Sequence, residues 1–148
     1  MTKAVDRALL DFNVLLSASD TGRAAHMRAT AILNDWPAGG TTLYTSGQIL
    51  REYLSVATRP TASNGLGLSQ ADALANVRAF TARMTVLAEN DKVHSRLHGL
   101  LDAIDCTGKQ VHDANVVATG LAHGIGAVLT LNTADFARFG HLIEVIAL

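Results

Sequence analysis

A chain of 148 residues has the length of one domain, 1–148, with a sizeable buried core. At 49% hydrophobic and 17% charged residues it is too apolar to stay disordered. A net charge of −1 excludes nucleic-acid binding by bulk basicity, although twelve Lys and Arg residues suffice to line one rim. The single cysteine, Cys106, excludes an intrachain disulfide and a cysteine zinc cluster, and reads as a small packed residue. No apolar run approaches the roughly 18 residues of a membrane span. The opening segment through Phe12 is too short and too charged for a secretory leader, so a cytoplasmic setting with no membrane partner is expected.

Apolar runs alternate with helical patterns, which predicts a three-layer α/β/α fold on a mostly parallel central sheet. The first strand is expected at 5–11, followed by a helix at 22–36 with Ala25, Ala29, Ile32 and Leu33 on one face. Pro37 to Gly40 breaks that helix, and a short strand is expected at 42–45. A helix at 46–57 carries Ser46 as its N-cap, and residues 59–67 read as a loop. Ser69 caps the next helix, to 83, with Asp72 completing a capping-box-like start. A strand at 85–87, helices at 91–104 and 112–123, and strands at 126–131 and 142–146 complete the chain. Gly124 closes the last long helix.

In open parallel sheets, ligands bind beyond the carboxyl ends of the strands. Four acids stand at expected strand ends or on helix faces turned inward: Asp11, Glu52, Asp113 and Asp135. Asp11 interrupts an apolar stretch and requires a partner there, or else caps a turn or helix. Glu52 lies beside the face of Ile49 and Val56, or is a solvated helix-edge residue paired with Arg51 or Arg59. Asp113 shares a helical face with Val116, Val117 and Gly120, the face expected to pack on the sheet, or is a first-turn acid answering the helix dipole. Asp135 follows the strand at 126–131, or caps the short turn from Phe136 to Phe139. Carboxylates gathered at one sheet edge repel, by about 4 kcal/mol for a pair at about 4 Å and an effective dielectric of about 20. Such a cluster persists when it is protonated or holds cations. Oxygen-only ligands suit Mg²⁺ or Mn²⁺, and phosphodiester hydrolysis is the chemistry those ions serve best. Spacing alone does not bring the four together.

The segments around these acids carry a resemblance. Asp11, Asn13 and Leu15 form a D-x-N-x-L pattern, and the stretch from Thr45 to Pro60 resembles a segment that carries a family glutamate. Asp113 with Ala114 resembles a D-A helix, and Thr130, Asn132, Asp135 and Phe136 form a T-x-N-x-x-D-F pattern. In this order, across about 130 residues, they resemble the PIN-domain family and, within it, VapC-like toxins of type II toxin–antitoxin pairs. The resemblance implies a metal-dependent endoribonuclease (a hydrolase) in which metal-activated water attacks RNA and leaves a 5′-phosphate and a 3′-hydroxyl. Asp11, Asp113 and Asp135 would then bind Mg²⁺ or Mn²⁺ directly or through water. Glu52 would bind a second ion or orient the attacking water. Asn13, Asn132 and Thr130 would hold carboxylates or waters by hydrogen bonds. A homodimer and a cognate VapB-like antitoxin, whose arm fills the acidic groove, are further implications. Phe12 departs from the small or hydroxyl residue usual between the Asp and the Asn.

His112 is either a phosphate or leaving-group contact or a helix-terminus histidine, and Lys109, Arg51 and Arg59 either steer RNA phosphates or serve the surface. The remaining histidines are read as carrying neither HExxH nor a paired metal spacing. The Gly65–Leu66–Gly67 stretch does not complete a phosphate-binding glycine motif and is expected to be a flexible loop, while Trp36 is expected to pack. Two other functions compete. A catalytically inactive PIN-like module would bind RNA or protein without cleavage. A haloacid-dehalogenase-like phosphatase is disfavoured, because Asn13 stands where its second carboxylate is needed and no lysine motif follows.

Overall fold

The structure, a computed structural model, describes residues 5–148. The first four residues, part of the opening segment read as no secretory leader, lie outside them. Five strands form one sheet: β1 (Arg7–Leu10), β2 (Thr42–Ser46), β3 (Thr85–Leu87), β4 (Ala127–Thr130) and β5 (Glu144–Ala147). They lie in the order β3-β2-β1-β4-β5, every neighbouring pair parallel, with Leu9 opposite Tyr44 and Leu10 opposite Leu129. The helices are α1 (Phe12–Ser19), α2 (His26–Ala38), α3 (Gly47–Ala57), α4 (Gln70–Thr81), α5 (Asp91–Ala103), α6 (Gln110–Ala122) and the single turn α7 (Thr133–Phe136). No helix among the described residues is long and apolar enough to cross a membrane.

The strand order dictates where a site can form. From β1 the chain steps to β2 and then to β3 on one side, crosses back to β4, and steps on to β5 on the other. Right-handed crossovers therefore put α1 to α4 on one face of the sheet and the later helices on the opposite face. The connections leaving β1 and β4, which are neighbours, diverge, and this opens a crevice at their carboxyl ends. Beneath it lies one apolar cluster that includes Leu9, Leu10, Val14, Leu15, Leu43, Ile49, Val117, Val128 and Leu129. Gly120 lets α6 lie close over it: a Cβ there would stand 3.3 Å from the Ile125 carbonyl oxygen and 3.6 Å from a Leu9 methyl.

Three local features differ from expectation. The first strand stops at Leu10, and α1 follows at once with no loop. Asp11 is its N-cap, with a carboxylate oxygen accepting the Phe12 N–H at 2.8 Å. Residues Asn13 through Ser17 are all buried, so the helix shows no polar face and merges in sequence with the strand before it. The second helix begins at His26, because residues 20–25 form turns in which Asp20 accepts the Gly22 N–H at 2.9 Å and pairs with Arg23 at 3.4 Å. The stretch 59–67 is pinned: Gly65 N–H donates to the Pro60 carbonyl, Gly67 N–H to Arg59 and Leu66 N–H to Val56. It also contains a 3-10 turn, Thr61–Ser63. Ser46 and Ser69 cap α3 and α4 through the N–H groups of Ile49 and Asp72, as expected. Trp36 packs half-buried against the core.

Candidate active site

A cleft of about 250 Å³ opens at the crevice, lined by all four acids together with Phe12, Ser55, Val56, Arg59, Lys109, His112 and Asn132. Asp11 enters it from the end of β1, Glu52 from the middle of α3, Asp113 from the first turn of α6, and Asp135 from α7 just beyond β4. The fold thus gathers residues separated by more than a hundred positions in sequence.

Asp11 is 5% exposed and held from three sides. One oxygen accepts the Phe12 N–H, and the other accepts the Asn13 side-chain amide at 3.1 Å and the Thr130 hydroxyl at 2.9 Å. The Asn13 amide also donates to Thr130 Oγ1 at 3.2 Å, and its own oxygen accepts the Leu131 N–H at 3.1 Å. Thr130 Oγ1 further accepts the Asn132 N–H at 3.0 Å. Every donor and acceptor of Asn13 and Thr130 is thereby engaged. Asn132 enters this network through its backbone; its side chain is exposed at the cleft rim and makes no bond to a carboxylate.

Burial pushes the Asp11 carboxyl up from 3.8 to about 6, against the lowering effect of the Thr130 and Phe12 hydrogen bonds and with the charges of Glu52 and Asp113 adding to it. Asp113 is raised as well, by burial first, then by the Asp135 charge, with Lys109 opposing it. One oxygen of Asp113, Oδ2, is buried with no hydrogen-bond partner. Lys109 reaches Asp135 at 3.6 Å, both partners being solvent-accessible. Glu52 accepts from the Gln48 side chain at 3.0 Å; Arg51, one of its expected partners, pairs with Glu89 at 3.8 Å.

An unpartnered buried carboxylate oxygen beside further acids is an arrangement that a hard divalent cation completes, and the donors are all oxygens, so the residues fit Mg²⁺ or Mn²⁺. The acids are not drawn into a closed shell: among the described residues no three of His, Cys, Asp and Glu converge tightly enough to clasp an ion.

Sequence reasoning missed Gln48, which is 5% exposed and donates to Glu52 and, at 2.9 Å, to the His112 carbonyl. Its position four residues before Glu52 is the signal that marks it, since such pairs share a helix face. Asn115, which donates to Gln48 at 2.7 Å and to Glu89 at 2.9 Å, was missed too. The reading of the outlying histidines needs correction: His94 and His98 stand one turn apart on α5, ring centroids 4.3 Å apart, both exposed. This is a paired spacing, although no third ligand joins them among the described residues.

A family model described as PIN domain matches residues 7–134. No curated protein matches the chain. Among solved structures, the chain is similar to VapBC2 from Rickettsia felis bound to a DNA fragment from their promoter. The TM-score is 0.68 at 15% identity, covering 96% of this chain and 98% of that one. It is also similar to FitAcB from Neisseria gonorrhoeae, with TM-score 0.64 at 18% identity over 93% and 95% of the two chains. A third similar structure is VapC20 of Mycobacterium tuberculosis, a sarcin–ricin loop cleaving toxin, with TM-score 0.60 at 16% identity over 82% and 86%. At these identities the likeness is one of fold.

Proposed function

The chain belongs to the PIN-domain family, and we propose that it acts there as a metal-dependent endoribonuclease, the toxin member of a VapBC-like pair. The observation that carries the reading is the buried, unpartnered Asp113 Oδ2 in a cleft shared with Asp11, Glu52 and Asp135. Asp11, Asp113 and Asp135 would hold Mg²⁺ or Mn²⁺, and Glu52 would hold a second ion or orient the attacking water. When bound, the ion supplies water activation and neutralises charge developing on the phosphate. Asn13 and Thr130 fix the rotamer of Asp11 through their hydrogen bonds. Lys109, Arg59 and His112 stand at the cleft to meet RNA phosphates, and Lys109 is free to exchange its Asp135 partner for one because the pair is exposed. Water adds to phosphorus, the bond to the 3′ oxygen breaks, and the products carry a 5′-phosphate and a 3′-hydroxyl.

RNA as substrate is supported by the fold shared with VapC20, a toxin that cleaves the sarcin–ricin loop. The VapBC2 and FitAcB likenesses support a VapB-like antitoxin as partner. We extend the reading to a single-domain, cytoplasmic homodimer. The test is cleavage of a labelled RNA in Mn²⁺: Asp11→Asn and Asp113→Asn should each lose activity, and cleavage by either at the wild-type rate would sink the proposal. Two observations favour a second reading, a non-cleaving RNA- or protein-binding module: Lys109 already pairs with Asp135, and no three acids converge among the described residues. RNA binding that persists in EDTA, with no cleavage in Mn²⁺, would select it.

A further inference from the structure

We propose that Gln48 is a positioning residue that ties the Glu52 carboxylate to the first turn of α6 and so sets how the two sides of the acidic cleft face each other. Its use in catalysis rests on the nuclease reading above; the tie itself does not.

Gln48 lies in the first turn of α3, one turn before Glu52, and is almost fully buried. Its side-chain nitrogen donates to Glu52 Oε1 at 3.0 Å and to the His112 carbonyl at 2.9 Å, and its oxygen accepts from the Asn115 amide at 2.7 Å. A carboxamide has two N–H donors, and here each has one acceptor. The His112 carbonyl oxygen is unable to donate, so the amide has one workable orientation: reversed, its own oxygen would face that carbonyl oxygen. Asn115 reinforces this by supplying an N–H to the oxygen side, and is itself braced by Glu89 at 2.9 Å.

The bridge matters because of what it joins. Helix α6 packs against α5, and α3 packs against α1 and α4. Among the described residues, the hydrogen bonds between α3 and α6 all run through Gln48. Glu52 rides on one of these helices and Asp113 on the other. Glu52 is also repelled in place, since its charge acts on both Asp11 and Asp113. A glutamate has three side-chain torsions and, left alone beside two acids, turns outward to water. The Gln48 N–H holds it inward against that repulsion, and the second N–H anchors the same amide to the residue preceding Asp113.

Two arms test this. In metal-free protein, the side-chain amide protons of Gln48 should exchange slowly by NMR, and Glu52→Ala should speed that exchange. Fast exchange in the wild type, or indifference to Glu52→Ala, overturns the tie. With Mn²⁺ and calorimetry, Gln48→Leu should weaken binding by about tenfold, as loss of a ligand-orienting partner does, and Glu52→Ala at least as much. The double variant should be no weaker than Glu52→Ala alone. Independent, multiplying losses, or unchanged affinity in folded Gln48→Leu, would contradict it. Should Gln48→Leu not fold, Asn115→Ala removes the donor that braces the Gln48 oxygen with position 48 intact, and a loss of a few-fold is expected, against none if the tie is absent. Failure of the nuclease reading looks different: no Mn²⁺ uptake by the wild type, while the Gln48 amide stays protected and is released by Glu52→Ala.

Discussion

Three hydrogen-bond donors normally hold a buried carboxylate ionised, yet burial and two neighbouring acids outweigh them at Asp11 and leave its pKa at about 6. The protein therefore disfavours the charged form of this residue relative to the unfolded chain, whose value is near 3.8. A raised folded pKa gives stability that is complete below the unfolded value and is lost as pH rises through the folded one. For Asp11 that loss falls between pH 3.8 and about 6, and amounts to about 3 kcal/mol in metal-free protein. Denaturant melts across this range in EDTA should show the decline, and Asp11→Asn should flatten it while adding a constant offset, because its amide nitrogen cannot accept from Asn13 as the second oxygen does. An identical slope in the variant would place the titration elsewhere. A cation in the cleft should restore the loss at neutral pH, because it replaces the proton. Asp113→Asn removes the unpartnered oxygen and should cut Mn²⁺ affinity by more than about a hundredfold, beyond what the loss of an orienting partner costs. At this scale the four acids that share the cleft were legible: Asp11 interrupts an apolar stretch, Glu52 and Asp113 stand beside or on helix faces expected to turn inward, and Asp135 follows an expected strand. Gln48 was not, because an uncharged residue is marked only by its partner, here Glu52 one helical turn on.

At the level of elements, the end of β4 works as a clamp on the end of β1. Thr130 closes β4 and binds Asp11 and Asn13, so the strand pairing that sets Leu10 opposite Leu129 also sets the carboxylate's rotamer. Thr130→Val should leave Asp11 short of one donor, destabilise the fold by about 1–3 kcal/mol and weaken Mn²⁺ binding about tenfold. A variant as stable as the wild type with unchanged binding would show the clamp to be idle. The 59–67 segment makes a second case. A Cβ on Gly65 would collide with the Arg59 carbonyl oxygen, and Arg59 lines the cleft. Gly65→Ala should therefore shift Arg59 and lower RNA affinity while Mn²⁺ binding is kept; an equal loss of both would mean general unfolding. The sequence marks Gly65 as a loop residue but says nothing of this contact, which depends on the chain folding back on itself. Helix α1 was hidden for a different reason: buried on every side from Asn13 to Ser17, it has no periodicity to read. Helices with one exposed face, such as α4 and α5, were placed to within a residue or two.

For the whole molecule, the parallel sheet was expected, but its strand order was not readable, because pairing is a long-range property. That order puts β1 beside β4 and makes their diverging connections the site. It also explains why the acids come from both ends of the chain and why the cleft depends on the entire fold. Mn²⁺ should accordingly stabilise the protein as a unit, by about 2.7 kcal/mol at a hundred times its Kd, seen as a rise in melting temperature that Asp113→Asn abolishes. No rise in the wild type would count against a metal in the cleft.

The proposed reaction is cleavage of RNA in this cleft with a divalent ion held by its acids. The most direct measurement is incubation of a structured RNA pool with pure protein in Mn²⁺, in EDTA, and as Asp113→Asn. The wild type in Mn²⁺ alone should yield fragments bearing 5′-phosphates. Equal cleavage in EDTA or by folded Asp113→Asn would contradict it.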